Sequence, residues 1–207
     1  MDKGVHRFAG CRRLLLALLL LPTLGGGALY GASCSPAFSL PAVQATADLD
    51  RDGAPETYTL RRGVLTVAEG GKILWKSPST WRVSAFALGD ADNDGTPDLL
   101  LSVWKRGSFG RHRPFWHTEE DRSYKNHLFV YDLAGERLKP VWLSSNLDRP
   151  VISMAVKDVD GDGENELVVR EGTYRRLRGE IYTADTRNAR TVILRWDEWG
   201  FTVAREG

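Results

Sequence analysis

One nine-residue phrase occurs three times in this chain and restricts its fold more than anything else in it. It reads Asp48-Leu-Asp-Arg-Asp-Gly-Ala-Pro-Glu56, then Asp90-Ala-Asp-Asn-Asp-Gly-Thr-Pro-Asp98, then Asp158-Val-Asp-Gly-Asp-Gly-Glu-Asn-Glu166. Acids stand at positions 1, 3, 5 and 9 each time, and glycine at position 6. Acids at alternate positions of a tight loop turn inward together, and glycine permits the sharp turn between them. About four negative charges in so small a volume repel one another unless a cation joins them.

The phrase therefore predicts three hard-cation sites. Calcium suits the donor set, because it accepts six to eight oxygens at flexible geometry, including a backbone carbonyl at position 7. The expected ligands are Asp48, Asp50, Asp52, Ala54 and Glu56; Asp90, Asp92, Asp94, Thr96 and Asp98; and Asp158, Asp160, Asp162, Glu164 and Glu166, where Ala54, Thr96 and Glu164 contribute their carbonyls. An EF-hand needs glutamate at position 12, where this chain has Thr59, Leu101 and Val169. The competing reading is that Asp-Gly clusters are only turn chemistry between strands. Three repeats at identical offsets favour the cation.

The flanks read as strands. Val43 to Ala47, Val83 to Leu88 and Val151 to Val156 precede the loops, and Thr57 to Leu60, Leu99 to Trp104 and Leu167 to Val169 follow them. Each unit then holds a second hairpin: Val64 to Ala68 with Ile73 to Lys76, His127 to Leu133 with Val141 to Ser144, and Thr191 to Trp196 with Phe201 to Ala204. Such short apolar runs bounded by Gly and Asp give four strands per unit. Trp75, Trp142 and Trp196 recur in late strands, where large aromatics serve packing between stacked sheets.

On these residues the region 42–207 resembles FG-GAP or VCBS repeats, the propeller blades of integrin α subunits and of many exported bacterial proteins. The aspartates and glutamates of the three phrases match that family's calcium-loop positions. The resemblance implies an all-β fold: three four-stranded propeller-type blades, about 42–80, 81–148 and 149–207, with up to three bound calcium ions. Propellers have four to eight blades, so it implies an open array, a ring completed by a second copy, or an unusually small propeller. It also implies noncatalytic binding of a protein or a carbohydrate.

The phrase starts 42 residues apart and then 68 apart, which places an insertion of about 26 residues in the second unit, at 105–126. Loops on rigid scaffolds concentrate function. Arg111, His112, Phe115, Trp116, His117 and Tyr124 make this a candidate ligand surface, with aromatic faces for sugar rings or peptide side chains and arginine for carboxylate or phosphate. The plainer alternative is a small core of Phe115 and Trp116 beneath solvated charges. His112, His117 and Glu120 match no known zinc spacing. The segment Arg170 to Arg178 of the third unit is also basic and carries an aromatic.

Ahead of the repeats, Lys3, Arg7, Arg12 and Arg13 precede the apolar run Leu14 to Leu21, the layout of a secretory signal. Residues 1–33 are accordingly expected to be a signal peptide or a retained hydrophobic anchor helix, and 34–41 a linker. Ala32-Ser33-Cys34 resembles a bacterial lipobox, with Gly31 where leucine is usual, so Cys34 is a candidate lipidation site. Each version puts the repeats outside the cytoplasm, attached to the membrane by the N-terminus or released. Cys11 and Cys34 are the only cysteines, and no disulfide between them is expected.

Near balance of 28 Lys+Arg and 27 Asp+Glu argues against a nucleic-acid partner, and 42% hydrophobic residues against a disordered chain. A G-x-S-x-G elbow, an H-E-x-x-H pair and a P-loop are missing from the sequence. The leading expectation is an extracytoplasmic calcium-binding module for interaction with a protein or glycan. The alternative is a glycan-active enzyme working through Arg111, His117, Glu119 or Tyr124.

Overall fold

Alternation explains the architecture once the strands are placed. In the computed structural model, which describes residues 42–108, 115 and 121–206, there are twelve strands and no helix. They are β1 (Val43–Ala47), β2 (Glu56–Arg61), β3 (Val64–Glu69), β4 (Lys72–Lys76), β5 (Arg82–Gly89), β6 (Asp98–Arg106), β7 (Tyr124–Ala134), β8 (Arg137–Leu143), β9 (Val151–Lys157), β10 (Glu166–Arg178), β11 (Ile181–Asp197) and β12 (Gly200–Glu206). The protein is all-β, and β1–β4, β5–β8 and β9–β12 each form an antiparallel meander.

The middle unit is packed on both faces. Leu99, Leu101, Val103, Phe129, Tyr131 and Leu133 join Tyr58, Leu65 and Val67 of the first unit in one core. Leu100, Leu128 and Val130 face the other way and join Val151, Leu167 and Val169 of the third. Because side chains alternate along a strand, a strand buried on both faces reads as a near-continuous apolar run. That is the reason for the unbroken run from Leu99 to Leu101. The tryptophans seal the same seams: Trp75 lies 6.3 Å from Tyr131, and Trp142 stands edge-on to Trp196 at 6.4 Å and to Phe201 at 5.7 Å. Gly89 (φ 154°) brings β5 against β9, where a Cβ would come within 2.8 Å of Val156.

Two features depart from the expected plan. The segment Arg170 to Arg178, notable in the sequence for its basic residues and its aromatic, is strand: Thr173 to Arg178 of β10 pairs with Ile181 to Asp185 of β11. The tip of this long hairpin reaches β7, where Ile181 pairs in parallel with Tyr124 and the Tyr124 N–H donates to the Glu180 carbonyl at 2.8 Å. Units two and three consequently share one eight-stranded sheet beside the four-stranded sheet of unit one.

The described repeats belong to one compact unit, Ser39–Gly207. No helix among the described residues is long and apolar enough to cross a membrane. The signal or anchor at 1–33 and Cys34 lie outside the described residues.

Candidate metal centres

Each acidic phrase closes a hairpin, between β1 and β2, β5 and β6, or β9 and β10. The three backbones are near copies. Position 6 has φ of 92°, 91° and 93° at Gly53, Gly95 and Gly163, and position 4 has 58°, 59° and 81° at Arg51, Asn93 and Gly161. The position-1 carboxylate accepts from the position-6 N–H at 3.0, 2.9 and 3.0 Å (Asp48, Asp90, Asp158). The position-5 carboxylate accepts from the N–H of Ala54, Thr96 or Glu164 at 2.7, 2.7 and 2.9 Å. Position 9 reaches back to the N–H of position 2: Leu49 donates to Glu56 at 2.9 Å, Ala91 to Asp98 at 2.9 Å and Val159 to Glu166 at 3.0 Å.

These bonds occupy one oxygen of a carboxylate and turn the other inward. Side-chain oxygens of Asp48, Asp50 and Glu56, of Asp90, Asp92 and Asp94, and of Asp158, Asp160 and Glu166 come within 4.8 Å of one another. Asp52, Asp98 and Asp162 fall outside these triples. In the first two loops the position-1 and position-9 oxygens are orphaned: Asp48 Oδ1, Glu56 Oε1, Asp90 Oδ1 and Asp98 Oδ1 are buried without a hydrogen-bond partner. Glu56 is 0% exposed and Asp98 1%. Buried carboxylate oxygens are costly without a donor or a cation, so these clusters could hold a metal ion.

Three residues that sequence reading missed complete the geometry. Thr57 pairs with Ala68, Leu99 with Tyr131 and Leu167 with Leu194. One step further along each ladder, position 9 meets Glu69 on β3, Asp132 on β7 and Arg195 on β11. Partial desolvation, then the charges of Asp52, Asp50 and Glu56, raises the pKa of Glu69. Burial, with the nearby Asp92 and Asp132 carboxyls, pushes Asp98 well above the usual carboxylate range despite the Ala91 N–H. The third loop is different, because Arg195 bonds Glu166, Asp160 and Asp162.

Hydrogen bonds also connect the loops to one another. Arg51 at position 4 donates to the Gly95 carbonyl of the second loop. Asn93, at the same position of that loop, exchanges bonds with Asn165 of the third at 3.1 and 2.7 Å, and Asn165 donates to the Asp90 carbonyl at 3.0 Å.

The insertion lies at the other end of β6, about 26 Å from Asp98 at ~3.3 Å per residue. Its two ends are stapled by Asp121, which accepts from the Ser108 N–H at 3.0 Å, the Ser123 N–H at 2.9 Å and Asn146 at 2.5 Å. Burial works to raise the pKa of Asp121, but the bonds from Ser123 and Ser108 outweigh it and hold it low. Tyr124 is a strand residue rather than a loop residue; it stacks on Trp104 at 6.1 Å and, with Thr80, Trp81, Lys105 and Arg106, lines a cavity of about 500 Å³. Phe115 is 91% exposed. His127, beside the insertion in sequence, is fully buried, and burial with the Lys105 charge lowers its pKa to about 4. Arg111, His112, Trp116, His117, Glu119 and Glu120 lie outside the described residues.

No family model matches the chain, and no curated protein matches it. Among solved structures, the V. cholerae biofilm matrix protein Bap1 is similar at 20% identity with a TM-score of 0.34, over 80% of this chain and 28% of that one. The chain thus spans under a third of Bap1.

Proposed function

We propose that this chain is an extracytoplasmic, noncatalytic binding module of the FG-GAP/VCBS type, whose propeller-like blades are held in register by calcium at the loops joining their first two strands. The observation that carries this reading is the set of buried, partnerless oxygens on Asp48, Glu56, Asp90 and Asp98. Calcium at these loops would be held by the position 1, 3, 5 and 9 acids with the carbonyl of Ala54 or Thr96, and its charge would remove the like-charge repulsion there. The signal-like N-terminus supports an exported module, attached to the membrane or released.

The partner, a protein or a glycan, is assigned to the end of the sheets away from calcium. There Trp81, Lys105, Arg106 and Tyr124 line a cavity that offers aromatic faces next to two cations. Calcium then acts on stability, and the far end on recognition.

The test is a thermal melt of the full chain in mild detergent, first with EGTA and then with millimolar calcium. A site at tenfold excess over its dissociation constant adds about 1.4 kcal/mol. Two such sites raise the melting temperature by about 5–10 °C at this chain length. Equal melts in EGTA, calcium and magnesium would overturn the reading.

A further inference from the structure

The three phrases agree in their acids and in their backbone, yet they differ in what stands opposite position 9. On β3 and β7 that residue is acidic, Glu69 and Asp132, so the first and second loops each gain one more carboxyl group and no basic one. On β11 it is Arg195. Its guanidinium donates through Nη2 to Glu166 Oε1 at 2.8 Å, Asp162 Oδ2 at 3.1 Å and Asp160 Oδ2 at 3.2 Å, and through Nε to Glu166 Oε1 at 3.2 Å. Glu166, 2% exposed, has both carboxylate oxygens satisfied, one by Arg195 and one by the Val159 N–H. Its counterparts Glu56 and Asp98 each keep one buried oxygen with no partner.

We propose that the third loop carries its own cation: the Arg195 guanidinium fills the place among Asp160, Asp162 and Glu166 that calcium takes in the first two loops, so the chain binds two calcium ions and not three. The proposal rests on the calcium reading of loops one and two. A guanidinium suits the task because its planar fork bonds several carboxylates at once and does not lose its proton. Arg205, paired with Ile193 on the neighbouring strand, lines the same small cavity as Arg195, Asp160 and Glu166 and adds positive charge there. The oxygens of Asp158, Asp160 and Glu166 do approach as closely as those of the other loops. The difference is that Asp160 and Glu166 are already in use. The third phrase is thus a cation cage with a tethered occupant, independent of the calcium around it.

Calorimetric calcium titration of the full chain in mild detergent tests this, comparing wild type with Arg195→Asp, which copies the second unit, and Asp132→Arg, which copies the third. Two ions in wild type, three in Arg195→Asp and one in Asp132→Arg are expected. Three ions in wild type, or two in Arg195→Asp, would overturn the tethered cation. No ions in wild type but one in Arg195→Asp would uphold Arg195 while removing the calcium reading of loops one and two; no ions in either would remove both. If Arg195→Asp does not fold in EGTA, melts of Arg195→Gln decide. Rescue by calcium beyond the wild-type shift supports the proposal, and a shift equal to wild type overturns it.

Discussion

The first and third loops share a phrase, a backbone and a hydrogen-bond pattern, but their charges are balanced in opposite ways. Around Asp48, Asp50, Asp52 and Glu56 no basic side chain among the described residues forms an ion pair, and Glu69 adds another acid. Around Asp158, Asp160, Asp162 and Glu166 a single arginine bridges three carboxylates. The lesson is that a repeated motif fixes the shape of a site, while the strand across the ladder fixes what the site requires. Fold repetition and ligand repetition are separate properties.

The comparison is clearest above about pH 6.5, because a group belonging to neither loop intrudes below it. His127 is buried neutral, with Nδ1 3.2 Å from the Ser144 carbonyl and a pKa lowered to about 4. The unfolded chain takes up its proton near pH 6.5 and the folded chain only near 4, so stability present above 6.5 falls away as the pH drops through that window. The loss approaches about 3 kcal/mol. Urea melts of His127→Phe between pH 7 and 4 should show a correspondingly flatter profile, and an unchanged slope would remove His127 as its source.

Next in size is the arginine. Arg195→Met leaves the buried Glu166 with no opposing charge; because Arg195, Asp160 and Asp162 are each about half exposed, the expected loss of stability is smaller than that of breaking a fully buried pair. It should appear in EGTA by chemical denaturation. Loss of an acid from the first loop should do the reverse: Asp48→Asn should cost little in EGTA and remove about 1.4 kcal/mol of the calcium-dependent gain at tenfold excess. The smallest effect tests the shared backbone. Gly95→Ala and Gly163→Ala both place a Cβ at φ near 90° with no atom within 4 Å, so each should cost about 1 kcal/mol, equally. Unequal costs would show that the loops differ by more than their cation.

Local order was legible in the sequence and pairing was not. The phrase located three hairpin loops because Asp, Gly and Asn act on their own neighbouring backbone, and the apolar runs located twelve strands because burial follows alternation. The long β10–β11 hairpin escaped because Arg170 to Arg178 has almost no apolar alternation; its strand character comes from pairing with Ile181 to Asp185. Glu69, Asp132 and Arg195 escaped for a related reason. They follow position 9 by 13, 34 and 29 residues, and only the register of the third strand, set after the insertion and the long hairpin, aligns them. The cavity beside Tyr124 likewise joins residues from separated segments.

The clasp between successive loops has a direction. Position 4 of the first two loops reaches forward, Arg51 to the second loop and Asn93 to the third, and position 4 of the third loop is Gly161, which has no side chain to extend. The series carries its own stop signal. A further unit or a second copy added after the third would meet no such hook, so growth of the array in that direction would depend on other contacts.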